Sequence, residues 1–165
     1  QRRQSPAVKF MVKTSAGVLL YRRAGKSPEV FLVHFGGPFW AKKDDGAWSI
    51  PKGEFAESED PIEAAKREFA EETGSPLKGK LEALKPIKQA GGKIVYAWAV
   101  EGEIDASAVR SNTFSMEWPP HSGKNQEFPE VDRASWFDLE TARRKILKSQ
   151  MPLLEQLQQK FLEGA

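Results

Sequence analysis

Three glutamates, Glu68, Glu71 and Glu72, crowd the stretch Arg67-Glu68-Phe69-Ala70-Glu71-Glu72-Thr73-Gly74. On a helix, residues three and four apart are neighbours, so Glu68 lies beside both others, and each like-charged pair costs a few tenths of a kcal/mol. The cluster also falls near a helix C-terminus, where the macrodipole disfavours negative charge. A solvated face with Lys66 and Arg67 nearby would soften this penalty. A divalent cation would convert it into a binding site, because hard cations take oxygen ligands and Mg²⁺ combines few carboxylates with water and substrate phosphates.

The helix that must carry these groups is well marked. Asp60-Pro61 supplies an N-cap and a favoured first residue, and Glu63 stands where a capping box has its acid. Ile62, Ala65 and Phe69 form an apolar stripe, and Gly74 with Pro76 closes the element, which the pattern places at Pro61 to Thr73. Before it, Val12 to Tyr21 and Glu29 to Phe35 read as strands separated by the turn-forming Arg23 to Pro28. The segment from Gly36 to Asp60, rich in glycine, proline, tryptophan and charge, is too long for an idle connection. After the helix, Leu81 to Ala90 and Lys93 to Gly102 read as strands joined across Gly91-Gly92. Ser111 to Asp132 reads as a second long polar and aromatic loop, and Arg133 to Leu139 as a short strand. Asp138 caps a helix over Leu139 to Leu147, and an amphipathic helix with Leu153, Leu154, Leu157 and Phe161 inside follows Pro152. This order predicts an α/β fold with a mixed sheet covered by helices.

The spacing around the acidic helix is specific. Gly53, five residues, Glu59, seven residues, then Arg67-Glu68, Phe69, Ala70, Glu71-Glu72, Thr73 and Gly74 resembles the Nudix box at every fixed position. The one departure is Ser75, where the box has an aliphatic residue that packs the helix exit. The element order resembles the Nudix fold over most of the chain, an α/β/α sandwich with a mixed β-sheet. The resemblance implies hydrolysis of a nucleoside diphosphate linked to another group, with Mg²⁺ or Mn²⁺ screening the phosphates and activating water. It implies Glu68, Glu71 and Glu72 as metal ligands, Arg67 as the group that orients a glutamate, Glu59 as support for the loop-helix junction, and Gly53 as the point where backbone approaches the metal. Either Glu72 or Glu68 is expected as general base. Relatives often add an acid from an outer loop, and here Glu127 and Glu130 are the candidates.

Substrate choice falls to the loops. Pro51-Lys52-Gly53 resembles diadenosine polyphosphate hydrolases, and Lys52 would meet a phosphate as a mobile point charge. Trp48, Trp118 and Phe128 are expected to contact substrate, since a base can stack on an aromatic ring. Phe39, Trp40 and Phe114 lie in the same loops, where most aromatics serve packing. His34 is expected to be packed, and His121 to be free to touch phosphate. The leading expectation is a dinucleoside polyphosphate such as diadenosine tetraphosphate. A nucleoside triphosphate pyrophosphatase, an RNA 5′-end pyrophosphohydrolase and a catalytically silent nucleotide sensor remain open.

The bulk numbers agree with an ordinary single domain spanning residues 1–165. Hydrophobic residues make up 39% of the 165 and charged residues 29%. No run approaches the roughly 20 apolar residues of a membrane span. The N-terminal stretch lacks the pattern of a signal peptide. Without cysteine there is neither disulfide nor thiolate chemistry, and a cytoplasmic location is expected. Twenty-five basic residues against 23 acidic ones, a net charge of +2, give no broad nucleic-acid footprint; no membrane and no stable nucleic-acid partner are expected, and the resemblance implies a small-molecule nucleotide as partner. Oligomeric state is not readable from these features.

Overall fold

A computed structural model describes residues 13–164 of the chain. The stretch that precedes them, including Val12 at the expected start of the first strand, lies outside the described residues. The elements are β1 (Thr14–Ala24), β2 (Ser27–Phe35), β3 (Trp48–Ser49), β4 (Lys52–Glu54), α1 (Pro61–Thr73), β5 (Glu82–Ala83), β6 (Ile87–Lys88), β7 (Ile94–Glu101), β8 (Thr113–Glu117), β9 (Asn125–Pro129), β10 (Val131–Asp138), α2 (Leu139–Lys145) and α3 (Met151–Gly164).

The principal sheet runs β10-β2-β1-β7-β5. Strands β1 and β7 are parallel from Thr14↔Ile94 to Tyr21↔Glu101, and the other pairings are antiparallel. β1 is apolar on both faces because both are covered: Ala16, Val18 and Leu20 join one core, Leu19 and Tyr21 the other. A strand buried on two sides reads as a continuous apolar run. Helix α1 closes the first core through Ala64, Ala65 and Phe69, whereas α2 and α3 close the second through Leu139, Ala142, Leu153, Leu154 and Leu157. The result is the expected α/β/α sandwich around a mixed sheet.

One irregularity positions the site. β1 and β2 pair only from Tyr21↔Val30 to Ala24↔Ser27. Beyond that point the two strands part. β4 takes the edge of β1 at Ser15↔Glu54 to Gly17↔Lys52, and β3 takes the edge of β2 at Val33↔Ser49 and His34↔Trp48. The segment from Trp48 to Glu54 is thus wedged into a fork of the sheet, with Val18 N–H bonded to Pro51 O at 3.0 Å. This fixes Gly53 in front of α1.

Helix α1 has the predicted bounds. The Asp60 carboxylate accepts from Glu63 N–H, and Gly74 caps the C-terminus in the left-handed region at φ 78°. The buried face differs from the predicted stripe. Ile62 is 38% exposed, and burial centres on Ala64, Ala65, Glu68 and Phe69. At 100° per residue that face is rotated toward the glutamates, which leaves Ile62 at its margin.

Two loops also differ from expectation. Ser111 to Asp132 is mainly a β-hairpin, β8 paired to β9 from Thr113↔Pro129 to Glu117↔Asn125. Its strands form a separate two-stranded sheet; β8 alternates polar and apolar residues with burial in step, but β9 carries only Phe128 as a large apolar side chain, so the period of two is short and one-sided. The strand after it is longer than predicted and covers the whole outer edge of β2 from Val131↔Phe35 to Asp138↔Glu29. The predicted Leu81 to Ala90 strand is interrupted at Lys85-Pro86 into β5 and β6, since proline cannot donate to a ladder.

Candidate active site

Positions 64, 68 and 72 stack along the sheet-facing side of α1. Ala64 is fully buried and Glu68 is 8% exposed. Two of the three acids therefore point inward rather than forming a solvated face. Gly53 makes this possible: a Cβ there would lie 1.8 Å from Glu68 Oε1 and 2.1 Å from its Cδ. The carboxylate occupies the space that any side chain at 53 would need. The preceding residue supplies its backbone, as Lys52 N–H donates to Glu72 Oε1 at 3.2 Å.

Arg67 organises the outer side. Its Nε and Nη2 donate to the two oxygens of Glu59 at 2.8 and 3.1 Å, and Nη1 donates to Glu68 Oε2 at 2.6 Å and to the Glu71 carboxylate at 3.2 and 3.3 Å. A bidentate pair of this kind fixes geometry as well as charge. Glu59 holds Arg67 well above its ordinary value and is itself pulled below the carboxylate range. Glu59 thus ties the loop before α1 to the acidic cluster.

Of the two outer acids, Glu130 faces the cluster and Glu127 does not. Pro129-Glu130 crosses the end of β2, where Gly36 N–H donates to Glu130 O and Glu130 N–H to Asn112 O, both at 2.9 Å. Glu127 sits in β9 opposite Ser115 and is exposed. Burial pushes the Glu68 carboxyl up, with Glu71 and then Glu130 adding to it against Arg67. Burial likewise carries Glu72 up to about 8, with Glu130 and Glu68 contributing and the Lys52 amide opposing. Glu130 is an exposed residue, yet its carboxyl is raised by partial desolvation and by Glu71.

The donor set is all hard oxygen on one wall, and the Gly53 cradle brings backbone against it. Both features fit a small divalent cation. Among the described residues no three carboxylates converge on one point, and Arg67 Nη1 bridges Glu68 and Glu71. Glu68, Glu71, Glu72 and Glu130 are the groups that would hold a cation.

The expected substrate contacts separate. Trp48 is 5% exposed. Its indole N–H donates to Asp44, its ring meets His34 and Phe137 edge-on at 5.1 and 4.9 Å, and Arg133 lies over it at 5.3 Å. No ring face is left for a base, so Trp48 is a core residue. Phe128 is half-buried against Phe114 at 6.0 Å and serves the hairpin. Lys52 alternates with Gly53 and starts toward the other face of the sheet, where its Cβ and the Ile50 side chain both crowd Gly17. Burial, then Lys93, holds its ammonium below the usual range, with Glu72 opposing. Trp118 is half-exposed at the hairpin tip, edge-on to Phe39 at 5.6 Å. His34 is fully buried, as expected, between Asp132 Oδ1 at 2.8 Å and Lys43 O at 2.6 Å. His121 is exposed at the hairpin tip with φ 61°.

Sequence reasoning missed the backbone ties that join the hairpin to α1. Arg110 N–H donates to Thr73 O at 3.0 Å and Asn112 N–H to Glu71 O at 2.9 Å. They satisfy terminal carbonyls of the helix, and Leu77 packs near the exit where Ser75 replaces an aliphatic residue. Two cavities lie elsewhere. One of about 540 Å³ is lined by Phe69, Leu77 and Ile104, the other of about 970 Å³ by Tyr21, Leu157 and Phe161. Neither includes a box carboxylate.

Comparison with known proteins agrees with this architecture. The chain is 32% identical over 108 residues to an RNA pyrophosphohydrolase of Bartonella clarridgeiae, covering 56% of this chain and 57% of that one. It is 31% identical over 148 residues to the RNA pyrophosphohydrolase of Bartonella henselae, covering 78% of each. It therefore spans little more than half the length of the first of these relatives. Among solved structures, a C. elegans Ap4A hydrolase binary complex is similar with a TM-score of 0.61 at 23% identity, covering 92% of this chain and 99% of that chain. The NUDIX domain of Shewanella oneidensis NrtR complexed with ADP ribose gives 0.65 at 17%, covering 96% and 94%. At those identities the likeness is one of fold. A family model described as the NUDIX domain matches residues 11–157, and with the box in place on α1 this chain belongs to the NUDIX family.

Proposed function

We propose that this chain hydrolyses a phosphoanhydride bond in the polyphosphate bridge of a dinucleoside polyphosphate, with diadenosine tetraphosphate as the test substrate. The observation that carries the reading is the inward-facing pair Glu68 and Glu72, seated against the Gly53 backbone with Glu130 brought beside them. Burying like charges together is costly, and the packing of α1 does not require it.

When bound, Mg²⁺ or Mn²⁺ would screen the phosphates and lower the pKa of water. Glu68, Glu71, Glu72 and Glu130 would hold it. Arg67, clamped by Glu59, keeps the outer carboxylates in register. Glu68 is engaged by the Arg67 guanidinium, whereas Glu72 is met by the neutral Lys52 amide. Glu72 is therefore assigned as the base that takes a proton from the attacking water, a role that needs geometry first. Placement and charge stabilisation supply most of the effect, with no covalent intermediate.

The two curated relatives named as RNA pyrophosphohydrolases favour a second reading, in which the 5′-triphosphate of an RNA is the substrate. A panel decides between them: diadenosine tetraphosphate, ATP, ADP-ribose and a 5′-triphosphorylated oligoribonucleotide, each with Mg²⁺, with products separated by chromatography. Mononucleotide release fastest from the first compound supports the proposal. Pyrophosphate release fastest from the RNA replaces it with the second reading, and no turnover on any compound rejects hydrolysis of these bonds.

A further inference from the structure

We propose that Phe39 and Trp118 form a stacking subsite for the nucleobase at the far end of the substrate's bridge; this rests on the reading that the α1 carboxylates cleave that bridge. Phe39 is 61% exposed, the only aromatic among the three large apolar side chains exposed in the described residues. Its neighbours in the same loops are committed to packing, Trp40 on Phe35 at 4.7 Å and Phe114 on Phe128 at 6.0 Å. Phe39 instead meets Trp118 edge-on, with an interplanar angle of 76°. That arrangement leaves ring surface open to a flat ligand.

The two rings come from separate segments joined rigidly to the site. A Cβ at Gly36 would lie 1.8 Å from Pro129 O, and one at Gly37, where φ is 94°, would lie 2.8 Å from the Phe114 ring. The loop that carries Phe39 is therefore pressed flat on the hairpin. Gly36 also bonds the Glu130 carbonyl, while Trp118 is held by its amide to Lys124 O at 2.9 Å and by its carbonyl to Gln126 at 2.7 Å. Glu130 marks the catalytic end of this wall and the aromatic pair marks the other end. The paired rungs from Thr113 to Glu117, at about 3.4 Å each, place the tip roughly 14 Å along from the base of the hairpin. A base held there belongs to the nucleoside beyond the bridge.

Charge along the wall agrees. Glu117 turns onto the His121 and Gly123 amides at 3.3 and 2.8 Å, and Asp44 and Asp45 pair with Lys145. The flanking cations Lys42, Lys43 and Lys124 are exposed, which suits a polyphosphate.

The test measures binding as well as turnover. Affinities of diadenosine tetraphosphate, adenosine tetraphosphate and a 5′-triphosphorylated oligoribonucleotide are measured by calorimetry for the wild-type chain, Phe39→Ala, Trp118→Ala and Phe39→Trp, and KM and kcat are measured on diadenosine tetraphosphate. Loss of one stacked base weakens binding about tenfold or more. The two-base ligand should lose that factor in both alanine variants, with kcat within about twofold, whereas the one-base ligand should be unaffected and Phe39→Trp should bind like the wild type. Equal weakening of both ligands, or no change in either, overturns the subsite even if hydrolysis is found. A selective binding loss supports it even if the cleaved bond proves to be a different one. A loss confined to a 5′-triphosphorylated RNA overturns the assignment of the base to a second nucleoside.

Discussion

Replacing Gly53 by alanine adds one methyl group at the point where the structure has least room for it. The new carbon would sit 1.8 Å from Glu68 Oε1, 2.1 Å from Cδ and 2.7 Å from Oε2. The backbone at 53 lies outside the left-handed region, so alanine brings no φ strain, and stiffening the unfolded chain favours folding by about 0.4–1 kcal/mol. Against this, Glu68 must swing away and give up its 2.6 Å bond to Arg67, a charged hydrogen bond worth about 1.5–3 kcal/mol. The net stability loss is about 1–2 kcal/mol, a fall in Tm of roughly 2–8 °C for a chain of this size. The chemical loss is much larger, because a carboxylate misplaced by about 1 Å costs on the order of a hundredfold in rate. Thermal melting with and without Mg²⁺ gives the first quantity, and initial rates on diadenosine tetraphosphate give the second. Shortening the acid in the same chain, Gly53→Ala with Glu68→Asp, should recover the stability and leave the rate low. If Gly53→Ala keeps kcat/KM within threefold of wild type, Glu68 does not act from the position the structure gives it. If it loses more than about 4 kcal/mol, the glycine serves folding instead.

Glu130→Gln should lower kcat at least tenfold while Glu127→Gln stays within twofold; the reverse order in the same steady-state assay would return the role to Glu127. In chelator-treated protein, Glu72 keeps a proton up to about 8 that the unfolded chain releases near 4.5, so its contribution is complete below pH 4.5 and is lost as pH rises toward 8. At about 1.4 kcal/mol per unit, urea denaturation between pH 5 and 8.5 should show a decline on the order of 2–4 kcal/mol that Glu72→Gln flattens; a flat wild-type profile would contradict the buried placement. Trp48→Phe keeps the aromatic core but drops the bond to Asp44, so chemical denaturation should show a loss of about 1–2 kcal/mol with KM within twofold. A tenfold rise in KM at unchanged stability would make Trp48 a substrate contact after all.

Local signals carried the reading where each residue answers to its neighbours in the chain. Asp60-Pro61 and Gly74 bound α1 because caps are local, and the Arg67 and Glu59 pairing follows from fixed spacing across one loop and one helix. The hairpin β8–β9 is hard to see because the alternation in β8, Thr113-Phe114-Ser115-Met116-Glu117, spans only five residues, and β9 sets a single large apolar side chain, Phe128, among polar neighbours. Trp48 departs from expectation for a different reason. It sits in a polar, glycine-rich segment whose composition reads as loop, but the fork between β1 and β2 draws it into the interior. The choice between Glu127 and Glu130 depends on how Pro129 and Glu130 cross the end of β2, a contact between residues nearly a hundred positions apart.

The two halves of the Arg67 guanidinium have different prospects. Nε and Nη2 donate to Glu59, whereas Nη1 donates to Glu68 and Glu71, two of the carboxylates that would hold a cation. The side chain thus serves as a counterion that partly offsets the charge of Glu59, Glu68 and Glu71 from within α1 itself. A cation held by Glu68 and Glu71 would compete with Nη1 for the same oxygens, so its affinity would depend on how readily Nη1 lets go as well as on how strongly the glutamates attract.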